Sequence, residues 1–211
     1  MKDSEIFLYI KSKKDWNIIK TKKHELNYKI ERNGNTLTLY FEDSNGKKDW
    51  KDNLFFLPVF VKAYKKCLNH LIVHVGFKNE YHSGNDQIMK ELIDEYHNHQ
   101  TDKVIIAGWS NGAAMSMLAA EDFFFRTGIK PTVVNFGCPM VCFDKLSAQY
   151  IKDCCEEVRE YCNNNDVVTK VPLFFEHVNK IAVGDEYKFK KLFDPWNYHQ
   201  AYGEVLGKMG L

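Results

Sequence analysis

One segment constrains the fold more than any other, the run of residues 104–114, which reads VIIAGWSNGAA. Apolar residues typical of a buried strand lead into G-x-S-x-G, and a small-residue helical pattern follows at once. A chain that reverses from strand to helix within two residues brings the positions flanking the serine together, and Gly108 and Gly112 occupy those positions. The pattern predicts that the Ser110 hydroxyl projects as a nucleophile, with the backbone N–H of Asn111 directed at a developing oxyanion.

Short apolar segments alternate with amphipathic ones around this run. The pattern predicts strands over 71–75, 103–107, 132–136 and 156–161, and helices over 86–97, 112–126 and 143–153. Strands separated by helices of this length form a parallel sheet with right-handed crossovers. Upstream, Asn33-Gly34 is a type I′ turn signal between strands predicted over 25–32 and 36–43, which indicates an antiparallel hairpin at one edge. The fold class is therefore α/β, with a mostly parallel sheet flanked by helices.

Composition limits what such a chain does. With 211 residues and no linker or repeat, we expect a single domain over 1–211. A net charge of +1 argues against a dedicated nucleic-acid-binding protein. No apolar run approaches the length of a membrane span, and the polar start Met-Lys-Asp-Ser-Glu favours a cytoplasmic location. The six cysteines form no C-x-x-C pair, so we expect free thiols, no metal site and no cofactor.

A serine nucleophile requires a histidine base and an orienting carboxylate, which on a sheet of this type follow in the order Ser, Asp, His. Asp166 lies in the polar loop after the strand predicted at 156–161 and fits the acid; a turn or capping aspartate is the alternative. Only His177 and His199 follow it. His177 is only 11 residues on, within an apolar stretch, and is predicted to be structural. His199, in an aromatic, turn-rich segment, is the predicted base.

Six ordered motifs together resemble the class 3 (fungal-type) lipases of the α/β-hydrolase superfamily. They are FEDS…DW…L at 41–54, VHVGF at 73–77, GWSNGA at 108–113, NFGCPMV at 135–141, NDVV…VP at 165–172, and His199 followed by Gly203-Glu204. Each motif alone is weak, but their order is specific. The departures are Glu42-Asp43 for the family's Arg-Gly, Trp109 for histidine, Asn111 for leucine and Met140 for arginine.

The resemblance implies an α/β-hydrolase fold and assigns roles by position. Ser110 would be the nucleophile, Asp166 the orienting acid and His199 the base. Ser44 matches the hydroxyl that assists the Asn111 N–H in the family's oxyanion hole. His74, within the strand predicted at 71–75, would support the site or the core rather than transfer protons.

The segment after Ser44 occupies the position of the family's lid. Its polar beginning at 45–49 precedes an apolar block whose candidate lid residues are Trp50, Leu54, Phe55 and Phe56. A lid of this kind would hide apolar surface when closed and would contact a lipid interface transiently when open. The alternative is a turn followed by a segment packed in the core.

The leading expectation is a triacylglycerol lipase or esterase that cleaves lipid-like or small esters through an acyl-enzyme, without a cofactor. One alternative is a phospholipase A1 or an acyltransferase that uses the same triad. Another is a non-catalytic hydrolase-fold protein that binds lipid or a partner, as the Glu42-Asp43 and Met140 departures would suggest. Only an activated serine reacts with a fluorophosphonate, so labelling of Ser110 separates these classes.

Overall fold

The structure, a computed structural model, describes residues 1–12, 15–21, 23–42, 71–186 and 195–211. In these residues the helices are α1 Asp3–Lys11, α2 Val75–His82, α3 Asn85–Asn98, α4 Asn111–Thr127, α5 Lys145–Asp153, α6 Pro195–Gln200 and α7 Tyr202–Lys208, with a 3-10 turn at Val168–Lys170. The strands are β1 Asn17–Lys20, β2 Glu25–Asn33, β3 Thr36–Phe41, β4 Lys103–Trp109, β5 Thr132–Phe136, β6 Glu157–Asn163 and β7 Lys180–Val183.

The seven strands of the described ranges form one sheet in chain order, β1 to β7. The pairs β1–β2 and β2–β3 are antiparallel, and every pair from β3 to β7 is parallel. Asn33 pairs with Thr36 across the predicted Asn-Gly turn, where Gly34 has a φ of +57°. The predicted α/β class, with a mostly parallel sheet and an antiparallel edge, is confirmed.

Both faces of the sheet are covered, which explains why its central strand β4 is apolar after Lys103. Along β4, Val104 and Ile106 face a core shared with helices α2 to α5, whereas Ile105, Ala107 and Trp109 face a second core. Residues of α1 and α7 fill this second core against the sheet. A strand buried on both faces reads as a continuous apolar run rather than an alternation, as the sequence of β4 does.

The prediction of a strand over 71–75 is wrong. Val73 makes only an isolated bridge with Cys142, and helix α2 already begins at Val75. Leu71 and Val73 are buried, and a run of four apolar residues and a histidine does not distinguish a strand from a buried loop that leads into a helix. His74 therefore precedes a helix instead of lying in a strand. The sequence analysis also did not predict α1, β1, β7, α6 or α7.

Parallel pairing aligns the carboxyl ends of the central strands at one edge of the sheet. Trp109 at the end of β4 lies opposite Phe136 at the end of β5, and Phe136 lies opposite Tyr161 near the end of β6. The loop after β4 begins with Ser110, and the loop after β5 begins with Gly137. The loop after β6 contains Asn165 and Asp166, two and three residues beyond the end of the strand. The topology therefore collects the candidate residues of three separate loops at this edge.

Candidate active site

Ser110 occupies the turn between β4 and α4 in a strained backbone conformation. Its φ is +59° and its ψ is −126°, values that L-residues with a side chain rarely adopt. The turn is held because the N–H of Ser110 donates to the carbonyl oxygen of Phe136 at 2.9 Å. The Ser110 hydroxyl is fully buried and has no hydrogen-bond partner among the described residues. The strain fixes the direction in which the hydroxyl points.

Two glycines allow this turn because backbone atoms crowd both sides of the serine. A Cβ on Gly108 would collide with the carbonyl oxygen of Gly112. A Cβ on Gly112 would lie 2.6 Å from the carbonyl oxygens of both Phe41 and Glu42 at the end of β3. The spacing of the G-x-S-x-G motif therefore follows from the close approach of β4, α4 and β3.

A buried aspartate–histidine pair lies at the same edge of the sheet. His199 Nδ1 lies 2.7 Å from Asp166 Oδ2, and both side chains are inaccessible to solvent. Asp166 also accepts a hydrogen bond at Oδ1 from the N–H of Val168, at 2.9 Å. A carboxylate oxygen accepts hydrogen bonds, so this contact places an N–H on Nδ1 of the His199 ring. In the neutral ring the lone pair is then on Nε2.

Two residues next to the Ser110 turn fix the His199 ring: Trp109 at the end of β4 and Gly137 directly after β5. Trp109, the residue before the serine, stacks on it with ring centroids 5.2 Å apart and donates from Nε1 to the His199 carbonyl oxygen at 3.0 Å. On the other side, a Cβ on Gly137 would lie 2.8 Å from His199 Nδ1 and 3.0 Å from Asp166 Oδ2. Gly137 follows Phe136, whose carbonyl binds Ser110. The structure thus joins Asp166 and His199 beside the turn that carries Ser110, whose hydroxyl makes no hydrogen bond to His199.

Tyr202 is a member of this site that the sequence analysis missed. Its hydroxyl donates to Asp166 Oδ2 at 2.8 Å and accepts from the N–H of Asn163 at 2.8 Å. Burial, followed by the charge of Asp166, raises the pKa of Tyr202 well above 10, so the phenol remains a donor. The signal available in the sequence was its spacing, three residues after His199.

The first residue of α4 is Asn111, whose N–H is the oxyanion donor that the motif predicts. Asn111 follows Ser110 directly, and the N–H groups of the first helical turn have no acceptor within their own helix. The Asn111 side chain is turned away from this role, because its Nδ2 donates to Glu80 Oε1 on α2 at 2.6 Å. This contact, between two buried side chains, ties the start of α4 to α2.

The other predicted oxyanion donor and the candidate lid cannot be placed in this site. Ser44 and the lid residues Trp50, Leu54, Phe55 and Phe56 lie outside the described residues.

His74 and His177 both lie apart from the aspartate–histidine pair. His74 is buried against Phe77 and Phe175, with ring centroids 4.7 and 5.6 Å away, and burial lowers its pKa to about 4. His74 is therefore a core residue, which is one of the two roles that the resemblance to the family implied. His177 contacts Glu160 instead of Asp166, with 2.5 Å between Nδ1 and Oε1.

Of the described residues, Glu160, Cys162 and His177 are the cluster whose side-chain types match those of metal ligands, with the relevant atoms within 4.8 Å of one another. Both ring nitrogens of His177 already face oxygen atoms, from Glu160 and from the Thr169 carbonyl at 2.7 Å. Burial raises the pKa of the Cys162 thiol, so it is protonated. The group is therefore an ion pair with a neighbouring thiol rather than a metal site.

The remaining described cysteines are also buried free thiols. None of the helices in the described ranges is long and apolar enough to cross a bilayer.

Comparison with known proteins identifies relatives of this chain. The family model "Lipase (class 3)" matches residues 38–176. The lipase of Rhizomucor miehei is 27% identical over 167 residues, which are 75% of this chain and 45% of that protein. The chain thus spans less than half the length of this relative.

Solved structures show the same fold. A Rhizomucor miehei lipase propeptide complex superimposes with a TM-score of 0.71 at 21% identity, over 92% of this chain and 69% of that chain. A triacylglycerol lipase whose catalytic centre is described as a serine protease triad has a TM-score of 0.65 at 23% identity, over 83% and 69% of the two chains. The lipase of Rhizopus microsporus var. chinensis gives 0.61 at 22% identity, over 78% and 58%.

Proposed function

The chain belongs to the class 3 lipase family, and on this basis we propose that it is a serine hydrolase that cleaves the carboxylic esters of lipid-like substrates. The match over 38–176 includes Ser110 and Asp166 but ends before His199. The assignment of His199 as the base therefore depends on its contact with Asp166.

The proposed reaction proceeds through two proton transfers in each half. His199 Nε2 accepts the proton of Ser110 Oγ as this oxygen attacks the ester carbonyl, and Asp166 stabilises the imidazolium. The tetrahedral intermediate collapses, His199 returns the proton to the leaving alcohol, and the acyl group remains on Ser110. Water then attacks the acyl-enzyme, with His199 again taking and returning a proton, so that the acid leaves and Ser110 is regenerated.

The oxyanion of each intermediate needs hydrogen-bond donors that are in place before charge develops. The N–H of Asn111 at the start of α4 is the proposed backbone donor, and the positive end of the helix dipole adds to its effect. The resemblance to the family adds the Ser44 hydroxyl as a second donor. One donor of this kind lowers the barrier by about 3 kcal/mol.

A single observation carries the proposal: the buried hydrogen bond between His199 Nδ1 and Asp166 Oδ2, fixed by Trp109 and Gly137 beside the strained Ser110 turn. If His199 had only a structural role, nothing would require the nearby Ser110 to adopt a strained φ of +59°. The related triacylglycerol lipase with a serine protease triad supports the same reading.

A lipid-like substrate is favoured by two exposed apolar side chains on the segment that follows the Asp166 loop. Leu173 and Phe174 follow the Asp166 loop, and their exposed fractions are 65% and 85%. Phe174 also has a φ of +70°, an unfavourable conformation for a bulky residue. Adjacent exposed apolar side chains suit contact with acyl chains or a lipid surface.

The proposal is tested by hydrolysis of a panel of esters that runs from soluble short-chain esters to emulsified triacylglycerol and phospholipid. Ser110→Ala and His199→Ala should each reduce turnover by ~10⁶-fold, because members of a triad act as a unit. His97→Ala, at an exposed position on α3, serves as the control and should leave turnover unchanged. Turnover within tenfold of wild type in either triad variant would contradict the assignment, and a preference for phospholipid would indicate a phospholipase A1.

A further inference from the structure

A second buried histidine–carboxylate pair lies beside the candidate site. Glu160 on β6 is 1% exposed, and His177, which precedes β7, lies with Nδ1 2.5 Å from Glu160 Oε1. Its other nitrogen, Nε2, lies 2.7 Å from the carbonyl oxygen of Thr169. A carbonyl oxygen only accepts hydrogen bonds, and so does an ionised carboxylate. A neutral imidazole has one N–H, so only the imidazolium form of His177 satisfies both contacts.

The surroundings of Glu160 support the ionised form of its carboxylate. Its Oε2 accepts hydrogen bonds from the N–H groups of Val178 at 3.0 Å and Asn179 at 2.9 Å. Backbone donors of this kind favour the charged carboxylate. The pair is therefore an imidazolium–carboxylate ion pair, buried between β6 and the segment that leads into β7.

Several other groups face this pair. Burial, the largest effect, and the charge of Lys180 on β7 both lower the pKa of His177. The hydrogen bond to Glu160, the charge of Glu160 and the hydrogen bond to the Thr169 carbonyl raise it, and together they outweigh the other two effects, so the pKa of His177 is raised. Cys162 Sγ lies 4.0 Å from His177 Nδ1. Burial raises the pKa of Cys162 and of the two thiols near Glu160, Cys138 and Cys142, so all three are neutral.

The ion pair is connected to the candidate catalytic acid through one short turn. Thr169, whose carbonyl binds His177, donates from Oγ1 to the carbonyl oxygen of Asp166 at 3.0 Å. Val168 in the same 3-10 turn donates its N–H to Asp166 Oδ1 at 2.9 Å. His177 thus restrains the turn that holds both the backbone and the carboxylate of Asp166.

We propose that His177, held by Glu160, is a positioning residue that keeps the Asp166 carboxylate aligned with His199 through the turn at Val168–Lys170. This inference rests on the proposed function, because it assigns His177 a part in aligning the same triad. His177 touches neither substrate nor Ser110 in this role. The neutral ring, formed as the pH rises, keeps one N–H. The ionised carboxylate is the stronger acceptor, so this N–H stays on Nδ1 and the contact between Nε2 and the Thr169 carbonyl is lost. The restraint on the turn is therefore complete at neutral pH and is lost as the pH rises through the pKa of His177.

Amide hydrogen exchange tests the restraint without any need for activity. In the wild-type chain, the protection of the Val168 amide, corrected for the intrinsic exchange rate, should fall about tenfold as His177 deprotonates. In His177→Gln, protection should be low at neutral pH and independent of pH, because an amide side chain does not titrate. The exposed His97→Gln serves as the matched control and should behave as wild type. Equal protection in wild type and His177→Gln at all pH values would overturn the proposal.

The pH profile of kcat/KM for a soluble short-chain ester separates positioning from a general effect on folding. Wild type should lose activity at alkaline pH, whereas His177→Gln should be about tenfold less active at neutral pH without that loss. A merely structural role would scale kcat/KM equally at every pH, and an unchanged alkaline limb in His177→Gln would overturn the proposal.

Two further readouts keep the outcomes distinguishable. If the wild type hydrolyses no ester, the proposed function fails, and the exchange of the Val168 amide still decides whether His177 restrains the turn. If His177→Gln does not fold, the ring ¹⁵N shifts of wild-type His177 decide instead. Both nitrogens should be protonated at neutral pH and should titrate with the same midpoint as the Val168 protection; a neutral ring at neutral pH contradicts the proposal.

Discussion

Asp166 Oδ2 lies within hydrogen-bond distance of two side-chain donors, 2.7 Å from His199 Nδ1 and 2.8 Å from the Tyr202 hydroxyl. The Val168 N–H donates to the other oxygen, Oδ1. The carboxylate therefore has one donor at Oδ1 and two at Oδ2. The direction of the Asp166 carboxylate, and with it that of the His199 ring, is therefore set by groups on three separate segments of the chain.

Tyr202→Phe removes one of these donors and keeps the buried ring. We expect the free energy of unfolding to fall by about 1–3 kcal/mol, because a hydrogen bond to a charged group is lost. We also expect kcat to fall by about tenfold with little change in KM, since the acid is less well oriented. Tyr150→Phe removes a hydroxyl that binds Glu121 at 3.2 Å, away from the site, and should leave kcat unchanged. Equal kcat values in the two variants would refute this role of Tyr202.

His74 makes the stability of the chain sensitive to acid. Burial lowers its pKa from 6.5 to about 4, so the unfolded chain binds a proton in this range that the folded chain does not. The free energy of unfolding should therefore fall by about 2 kcal/mol through this residue between pH 7 and pH 4.5. In His74→Phe this contribution should disappear, whereas His97→Gln should retain it. Denaturant unfolding at the two pH values measures the difference, and equal slopes in wild type and His74→Phe would contradict it.

At the scale of secondary-structure elements, the site depends on how closely β3, β4 and α4 approach one another. Gly112→Ala places a Cβ 2.6 Å from two carbonyl oxygens of β3 and the residue after it. The elbow must then open, so we expect a loss of several kcal/mol in the free energy of unfolding and of nearly all hydrolysis. Gly207→Ala on α7, where a Cβ meets no atom within 4 Å, is the matched control and should be neutral or slightly stabilising. A stable, fully active Gly112→Ala would contradict the packing argument.

The elements that the sequence predicts well are those with an unambiguous local pattern. β5 at Thr132–Phe136 has the predicted bounds, and the strand, elbow and helix around Ser110 follow from apolar periodicity and glycine spacing. Chain order, loop position and the resemblance to the family selected Asp166 and His199, which the structure joins. Strand 71–75 failed because a short apolar run is ambiguous. Helix α1 was missed, although its Phe7 packs against both Trp109 and Tyr202 at the site.

Contacts between residues far apart in the sequence were beyond such reasoning. Tyr202 meets Asp166 across 36 positions, and His177 meets Glu160 across 17, through loops whose course no local pattern specifies. Which partner each histidine has is decided by the order of β6, β7 and the C-terminal helices in space.

At the scale of the whole molecule, two adjacent exposed apolar residues stand on the segment that follows the Asp166 loop. They are Leu173 and Phe174, whereas Phe125, another exposed aromatic, lies near the opposite end of α4 from Ser110. We expect the first pair, and not Phe125, to contact a lipid interface.

Leu173→Ser combined with Phe174→Ser tests this surface. Activity on emulsified long-chain esters should fall by about tenfold or more, because each apolar side chain contributes about 1.5–3 kcal/mol when it is removed from water. Activity on soluble short-chain esters and the melting temperature should change little, since both residues are exposed in the folded chain. Phe125→Ser serves as the control on the emulsion. An equal loss on both substrates would indicate that the pair supports the triad rather than an interface.

The central claim is that Ser110 is activated by His199 and Asp166. Reaction of the purified chain with a fluorophosphonate, followed by mass spectrometry of its peptides, measures this directly, because only an activated serine is phosphonylated. We expect one adduct, on Ser110, that is absent in Ser110→Ala and strongly slowed in His199→Ala but not in His97→Ala. No adduct, or an adduct on another residue that persists in Ser110→Ala, would contradict it.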